Sequence, residues 1–235
     1  MLLLHLFISA ACTNLRAPII LANVDAGILS FVFQGVEMWL EQIQRIAELA
    51  HRRYRDGQLL VIAVDGCGGA GKTTLCQTLA QQVQLWAPAQ VLKLDDFYQP
   101  LTQSQRTQLK DSAAQDAYFN LATYRQTLLQ PLLQGAHVSY QPHHWLDGAD
   151  EVSVVLQPKG VVIIDGVYAF SRAVRDLVDI SVFVDAPLKL RTQRLLGRPQ
   201  PCTDWIPHWQ RTEAWHHQHE DTLTAVDFVL KGTQQ

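Results

Sequence analysis

The residue types that bind phosphate occur together at one place in the sequence. Residues 66–73 read GCGGAGKT, a full match to G-x-x-x-x-G-K-[ST], and Thr74 follows. Glycines let backbone N–H groups turn inward around phosphate oxygens, and Lys72 adds a full positive charge beside them. We expect Thr73 to bind Mg²⁺ through its hydroxyl. The predicted nucleotide contacts are Gly66, Gly68, Gly69, Ala70, Gly71, Lys72, Thr73 and Thr74.

Two aspartates that follow apolar runs could complete a phosphoryl transfer. Asp165 ends the run VVIID and is predicted to hold Mg²⁺ directly or through water, with helix capping as the alternative. Asp185, after the next such run, is expected to cap a strand end. Asp95 follows the run VLKL, where a carboxylate could orient an attacking hydroxyl and accept its proton. Backbone capping is the alternative for Asp95 and the expectation for Asp96.

Three arginines are spaced to lie on one face of a helix. Arg191, Arg194 and Arg198 are three and four residues apart in a stretch that is predicted to be helical. Guanidinium groups stabilise charge on a transferring phosphoryl group, and a helix that carries them can close over a nucleotide as a lid. Arg191 and Arg194 are therefore predicted to act in catalysis and Arg198 to contact the nucleotide. A solvated basic face is the alternative.

These residues need a fold that brings distant segments together. Apolar runs at 59–64, 91–94, 161–164, 180–184 and 228–230 predict strands, and helical patterns separate most of them. The alternation predicts a three-layer α/β/α fold of the P-loop NTPase type, with a mostly parallel sheet and a small lid that bears the arginines. Ligands of such sheets bind at the carboxyl ends of the strands, where the loop, Asp95 and Asp165 should converge.

The N-terminal region is predicted to differ from the rest. An amphipathic pattern begins at Met38 and ends before Asp56-Gly57, whereas residues 1–37 show no clean period. The opening MLLLHLFISAA lacks a basic start and is too short to span a membrane. We expect an extension of uncertain status at 1–37 and one kinase domain at 38–235. A genuine N-terminal strand or a membrane anchor is the alternative.

Composition points to a small-molecule partner. The formal net charge is −3 without long runs of one sign, which does not favour a nucleic-acid or membrane surface. The four cysteines have no paired or metal-type spacing, so we expect reduced thiols and a cytoplasmic protein. His216, His217 and His219 are expected on a solvated helical face, since no acidic or thiol partner lies at ligand spacing, and a metal site is the alternative. The formation of a homo-oligomer is left open.

Several segments together resemble the uridine kinase family, within the wider group of uridine kinase and phosphoribulokinase P-loop kinases. The resemblance runs from about Leu59 to Gly232. Its carriers are the glycine loop preceded by Val-Asp, LDDFYQP at 94–100, VVIIDGVYAF at 161–170, and the segment from 174 to 198 that leads into the lid. An element of the type Asp-x-Phe-Tyr is far more specific to this group than a P-loop alone.

The resemblance implies a role for each matching residue. Asp95 inherits the catalytic base, and Tyr98 lines the nucleoside pocket. Asp165 inherits the metal site, although the family usually has Glu there, and Arg191 and Arg194 touch phosphate and sugar hydroxyls. The implied cofactors are ATP, or GTP, and Mg²⁺, and the implied acceptor is the 5′-hydroxyl of uridine or cytidine.

The acceptor region departs from the family pattern. Residues 140–145 read YQPHHW, with His144 where the family has Asp, and DAYFN at 116–120 only approximates the element that presents an acid to the ribose. Candidate acceptor contacts are Tyr98, Asp116, His143, His144 and Trp145, and a structural role is the alternative for the last four. The alternatives are a kinase of the same fold acting on a sugar phosphate, glycerate, pantothenate or nicotinamide riboside, a nucleotide-dependent ATPase or switch, and a nucleotide binder without catalysis.

Overall fold

Strands and helices alternate along most of the chain, which confirms the expected fold class. The computed structural model describes residues 26–99, 101–142, 153–198 and 203–232. Two short strands, β3 (Val138–Tyr140) and β4 (Val154–Leu156), pair in antiparallel fashion by themselves. The main sheet has five strands: β1 (Leu59–Asp65), β2 (Ala89–Lys93), β5 (Gly160–Asp165), β6 (Ile180–Asp185) and β7 (Phe228–Lys231).

Helices connect the strands and cover both faces of the main sheet. A π-helical turn at Arg125–Leu129 joins two of them, so that residues 121–133 form one helical run, as predicted. The helices are α1 (Ala26–Arg53), α2 (Lys72–Val83), α3 (Gln103–Gln108), α4 (Asp111–Tyr118), α5 (Leu121–Tyr124), α6 (Gln130–Leu133), α7 (Leu188–Leu196), α8 (Ile206–His219) and α9 (Thr222–Ala225).

The main sheet has the strand order β2-β5-β1-β6-β7, and each neighbouring pair is parallel. Strand β1 lies in the middle and is buried from Leu60 to Asp65. A strand that is covered on both faces needs apolar side chains in both directions, which explains the unbroken run LLVIAV. Because strands lie on both sides of β1, its carboxyl end opens into the crevice where ligands of such sheets bind.

Alternate side chains of β1 enter two separate cores. Leu60, Ile62 and Val64 pack with α1 and α2 on one face. Val61 and Ala63 pack with α4 and α5 on the other face. Full burial of a Val, Leu or Ile side chain contributes about 1.5–3 kcal/mol. The two cores therefore hold β1 from both sides and fix the position of the glycine loop that follows it.

Helix α1 begins earlier than the sequence pattern predicted. It runs from Ala26 to Arg53, so the prediction of a helix start at Met38 was wrong. Residues 26–37 contain no proline, and Gly35 alone does not stop the helix. The division of the chain at residue 37 stays a prediction, because α1 passes through that position. Within the described ranges, no helix has the length and apolar character needed to cross a membrane.

Candidate active site

The predicted phosphate-binding residues form a tight loop between β1 and α2. Gly71 precedes the first turn of α2 with a φ of 108°. A Cβ on Gly66 would lie 2.4 Å from the carbonyl oxygen of Val184, and one on Gly69 would lie 2.6 Å from that of Arg191. The loop is therefore wedged between β6 and α7, and glycine alone fits at Gly66 and Gly69.

The Lys72 side chain is folded back onto this loop. Its Nζ donates hydrogen bonds to the carbonyl oxygens of Gly66 at 2.8 Å and Cys67 at 3.1 Å. Phosphate oxygens carry charge and accept hydrogen bonds more strongly than carbonyl oxygens do. A triphosphate in the loop can therefore draw Nζ away from these carbonyls. Thr73 and Thr74 are exposed in the same turn of α2, where a ligand can reach their hydroxyls.

Strands β2 and β5 bring two carboxylates to the edge of the sheet where the loop lies. Asp165 is the last residue of β5, and its side chain is buried. It is in register with Val64 of β1 and Lys93 of β2. Asp95 lies in the 3₁₀ turn Leu94–Phe97, which follows β2 directly. The parallel strands thus bring together acids that are far apart in sequence.

Asp95 has the surroundings of a functional carboxylate. Asp95 is exposed, yet the surrounding protein desolvates its carboxylate and raises its pKa. The positive charge of Lys72 lowers this pKa, and Asp165 raises it. Arg198 and Asp96 act more weakly, in opposite directions. These four side chains are therefore in electrostatic reach of Asp95, and the raised pKa makes its carboxylate a stronger proton acceptor.

A glycine sets the spacing of the two acids. A Cβ on Gly166 would lie 2.3 Å from the Cβ of Leu94, which is buried. Leu94 immediately precedes Asp95, and Gly166 immediately follows Asp165. The absence of a side chain at Gly166 therefore allows the end of β2, and Asp95 with it, to approach Asp165.

Asp96 holds the 3₁₀ turn to strand β3. Its Oδ2 accepts a hydrogen bond from the Tyr140 hydroxyl at 2.9 Å. Burial and the neighbouring Asp96 both raise the pKa of Tyr140, so this hydroxyl keeps its proton. The ring of Phe97 lies 4.6 Å from that of Tyr140 and adds an aromatic contact. Asp96 thus accepts a hydrogen bond from a side chain of β3, a role beyond the backbone capping that was expected of it.

Two of the three predicted arginines lie against the loop. Arg194 donates through Nη1 to the carbonyl oxygens of Gly69 at 3.2 Å and Ala70 at 3.1 Å. The Arg191 Nε donates to the Ala186 carbonyl oxygen at 3.0 Å. A solvated basic face therefore does not describe these two residues. Helix α7 ends before the third predicted arginine, Arg198.

Arg198 lies beyond the lid helix. Helix α7 ends at Leu196 with Gly197 as its C-cap. The expectation that all three arginines share one helical face was therefore wrong for Arg198. Its side chain is exposed, yet its charge still lowers the pKa of Asp95.

The predicted acceptor contacts are only partly described. The Tyr98 ring is buried and nearly parallel to two other rings, at centroid distances of 5.9 Å from Tyr118 and 5.6 Å from Trp209. Asp116 is exposed on α4. The remaining candidates, His143, His144 and Trp145, lie outside the described residues. Trp209 was not predicted as a neighbour of Tyr98, since it comes from a helix 111 residues further along the chain.

Asp65 is a buried acid at the start of the loop. Its carboxylate accepts hydrogen bonds from the backbone N–H groups of Gly66 at 2.6 Å, Tyr168 at 3.0 Å and Phe170 at 2.9 Å. Tyr168 has a φ of 74°, a left-handed conformation that is uncommon for a bulky residue. Asp65 therefore ties the loop to the turn after β5 and holds that turn in its conformation. The sequence offered only the position of Asp65 before the loop as a signal.

The expectation of a solvated histidine face was wrong for two of three residues. His219 is exposed, but His216 and His217 are buried against Tyr168 and Phe183, with ring centroids 4.3 Å and 4.9 Å apart, respectively. Burial lowers the pKa of His216 to about 3 and also lowers that of His217. Both rings are therefore neutral near pH 7.

A metal ion is a weak explanation for these two histidines. One ligand atom each from Asp65, His216 and His217 lies within 4.8 Å of the others, and among the described residues no hydrogen bond joins any two of the three. Ligands of a zinc ion at about 2.0–2.2 Å lie roughly 3.3 Å apart. The oxygens of Asp65 already accept three N–H groups. The spacing suits a bridging water molecule, and we regard this cluster as structural.

Glu213 of α8 is a further buried acid that the sequence did not indicate. Its Oε1 accepts a hydrogen bond from the Gly68 N–H at 2.9 Å, and its Oε2 lies 3.5 Å from Nη1 of Arg191. Burial raises the pKa of Glu213, while Lys72 and then the Gly68 N–H oppose that shift. One carboxylate thus joins α8, the glycine loop and α7. In the sequence it is an isolated acid in a polar helical stretch.

Comparison with known proteins gives a family match over the segment that contains the glycine loop, Asp95, Asp165 and the predicted arginines. A model described as "Phosphoribulokinase / Uridine kinase family" matches residues 61–200, from β1 to just beyond the lid helix. The uridine kinase of Leuconostoc citreum (strain KM20) is 30% identical over 146 residues, which cover 59% of this chain and 68% of that protein. The uridine kinase of Saccharomyces cerevisiae is 26% identical over 153 residues, which cover 59% of this chain but only 28% of that longer protein.

A solved structure has the same fold. A possible uridine kinase from Bacillus stearothermophilus superposes with a TM-score of 0.61 over 81% of this chain and 97% of that one. The two sequences are 19% identical, so this likeness concerns the fold alone.

Proposed function

From its membership of the phosphoribulokinase and uridine kinase family, whose model matches more than half of the chain, we propose a reaction for this protein. It transfers the γ-phosphoryl group of ATP to the 5′-hydroxyl of a pyrimidine nucleoside, uridine or cytidine. Its homologues are kinases, so the enzyme class is that of phosphotransferases with an alcohol acceptor. The nucleoside and the phosphate donor are the proposed part.

One observation carries the proposal: Asp95 stands at the same edge of the sheet as the phosphate-binding loop and Asp165. The pKa of Asp95 responds to Lys72 in the loop and to Asp165 at the end of β5. A carboxylate beside the loop lysine can reach a hydroxyl that attacks the terminal phosphate. A nucleotide switch, in contrast, would need a residue there that orients water.

The loop side of the site fits a magnesium–nucleotide complex. Thr73 and Asp165 offer the hydroxyl and carboxylate oxygens that Mg²⁺ prefers. After burial, the charge of Asp165 is the main cause that raises the pKa of Cys76 on α2. Asp165 therefore lies near the first turns of that helix. When bound, Mg²⁺ neutralises charge on the β- and γ-phosphates. Lys72 and the loop amides would hold the same phosphates from the other side.

The remaining residues would act on the hydroxyl and the transferring group. Asp95 would orient the hydroxyl and accept its proton as the bond to phosphorus forms. Arg191 and Arg194, already held against the loop, would stabilise the equatorial oxygens of the phosphoryl group. Tyr98 and Asp116 are proposed to contact the acceptor, together with His143, His144 and Trp145.

The substitution Asp95→Asn tests the proposed base. Loss of the base should lower kcat by roughly 10²–10⁴-fold, while the affinity for ATP changes little because the loop is intact. Asp96→Asn is the matched control: its amide oxygen can still accept from Tyr140, and kcat should stay near that of the wild type. Steady-state assays of ADP release would measure both. Wild-type turnover by Asp95→Asn would exclude Asp95 as the base.

A panel of acceptors tests the proposed substrate. Uridine and cytidine should stimulate ADP release from ATP above the rate without acceptor, with sugar phosphates, glycerate, pantothenate and nicotinamide riboside as competitors. ATP hydrolysis that no alcohol accelerates would favour the ATPase or switch instead.

We place the enzyme in the cytoplasm, where the Cys67 and Cys76 thiols, which are free in the structure, would stay reduced.

A further inference from the structure

Two partners of Glu213, beside the Cys67 side chain, are groups that a phosphate-binding site ordinarily offers to phosphate. A backbone N–H of a glycine loop and a guanidinium group both bind phosphate oxygens in such sites. In this structure the carboxylate of Glu213 takes the Gly68 N–H at 2.9 Å and lies 3.5 Å from Arg191. A carboxylate oxygen has the same sign of charge as a phosphate oxygen and accepts the same donors.

The carboxylate lies directly against the loop. A Cβ on Gly68 would be 3.1 Å from Oε1 of Glu213, and the Glu213 side chain has no exposed surface. A buried carboxylate without donors would be costly, and the Gly68 N–H and Arg191 favour its charged form against the burial that raises its pKa. A second anion in the loop would compete for the same two donors and would repel Glu213.

We propose that Glu213 is a positioning residue that competes with the nucleotide. In the present arrangement its carboxylate orders the loop at Gly68 and draws Arg191 of the lid helix toward it. A phosphate oxygen of the bound triphosphate then takes the Gly68 N–H and Arg191 in place of Glu213. The inference rests on the proposed function only in that the loop binds a nucleotide, and it does not depend on the acceptor.

The substitution Glu213→Gln tests this competition. Glutamine keeps the size of the side chain and an oxygen for the Gly68 N–H, but it carries no charge to hold Arg191 or to repel phosphate. The variant should bind the Mg²⁺ complex of the non-hydrolysable ATP analogue AMP-PNP about tenfold more tightly than the wild type, a change of about 1.4 kcal/mol. Isothermal titration calorimetry without acceptor gives both dissociation constants.

Glu220→Gln is the matched control. Glu220 immediately follows α8 and pairs with Arg175 at 3.4 Å, and it also accepts hydrogen bonds from Ser171 and Arg172, none of which belongs to the loop. Its loss should leave AMP-PNP affinity unchanged. General loosening of the fold would weaken binding, so tighter binding by Glu213→Gln alone indicates a lost competitor. Equal or weaker binding by Glu213→Gln overturns the proposal.

A crystal structure of the wild type with Mg²⁺ and AMP-PNP keeps the proposal testable if Glu213→Gln does not fold. We expect Oε1 of Glu213 to have left hydrogen-bond distance of the Gly68 nitrogen. A Glu213–Gly68 hydrogen bond that persists beside the bound analogue would refute the exchange. Failure of the acceptor panel or of Asp95→Asn would instead refute the proposed function, and neither result bears on the binding experiment.

Discussion

At the scale of single residues, two buried acids hold the glycine loop at different points. Asp65 binds the start of the loop through the N–H of Gly66, and Glu213 binds its middle through the N–H of Gly68. Both side chains are fully buried, where an unpaired charge would be strongly destabilising. Backbone donors to both carboxylates remove most of that cost. The shape of the loop therefore depends on acids that a glycine-loop pattern does not contain.

Asp65→Asn should destabilise the protein by about 2–4 kcal/mol, because hydrogen bonds to a charged group contribute about 1.5–3 kcal/mol each and some are lost. The asparagine amide has one acceptor oxygen, and its NH₂ group would face N–H donors. Asp185→Asn is the control: its side chain is 41% exposed and pairs with an exposed Lys231, so we expect a loss of about 1 kcal/mol or less. Urea unfolding measures both variants. Equal stability of Asp65→Asn and the wild type would contradict the role given to Asp65.

At the scale of elements, apolar runs predicted the main sheet because its strands are buried on both faces. The run at 161–164 became Gly160–Asp165, and the run at 180–184 became Ile180–Asp185. The hairpin of β3 and β4 was missed, since three-residue strands carry too little pattern to detect. Helix α7 ends at Leu196, so the expectation of one helical face was wrong for Arg198 although spacing alone allowed it. The predicted strand ends placed Asp95 and Asp165 at the same edge of the sheet, but they did not predict how closely the two acids approach each other.

Gly166→Ala tests the contact that sets that approach. The new Cβ would press on Leu94 and move Asp95 away from the loop, so we expect kcat to fall about tenfold or more, since misplacement by about 1 Å can cost 10²-fold. The KM for ATP should change little, because the loop itself is untouched. Gly57→Ala is the control, with a φ of +78° and no atom within 4 Å of the new Cβ. It should lose about 1 kcal/mol of stability and keep its kcat. Unchanged turnover by Gly166→Ala would show that this contact does not position Asp95.

At the scale of the whole molecule, α8 connects regions that local patterns treat as unrelated. It carries Trp209 to Tyr98, Glu213 to the loop and His216 to Gln115. The polar composition of α8 predicted a solvated helix. Thr212, Glu213, His216 and His217 are nevertheless buried. Glu213 and His216 hydrogen-bond to residues from distant segments, and sequence spacing holds no information about such partners. The sequence therefore predicted the phosphate side of the site better than the side covered by α8.

This burial should make stability depend on pH through His216. The pKa of His216 is lowered from 6.5 to about 3 by burial, so between these values the unfolded chain binds a proton that the folded protein does not. The contribution of His216 is thus fully present above pH 6.5 and is lost as pH falls, by up to about 1.4 kcal/mol per pH unit. Asp95 and Glu213 have raised pKa values and act in the opposite sense, so variants must be compared.

From pH 7.5 to 5.5, the unfolding free energy of His216→Gln should fall by about 1 kcal/mol less than that of the wild type. The exposed His219→Gln should behave as the wild type does. Equal losses in His216→Gln and the wild type would mean that His216 is not held neutral in the fold.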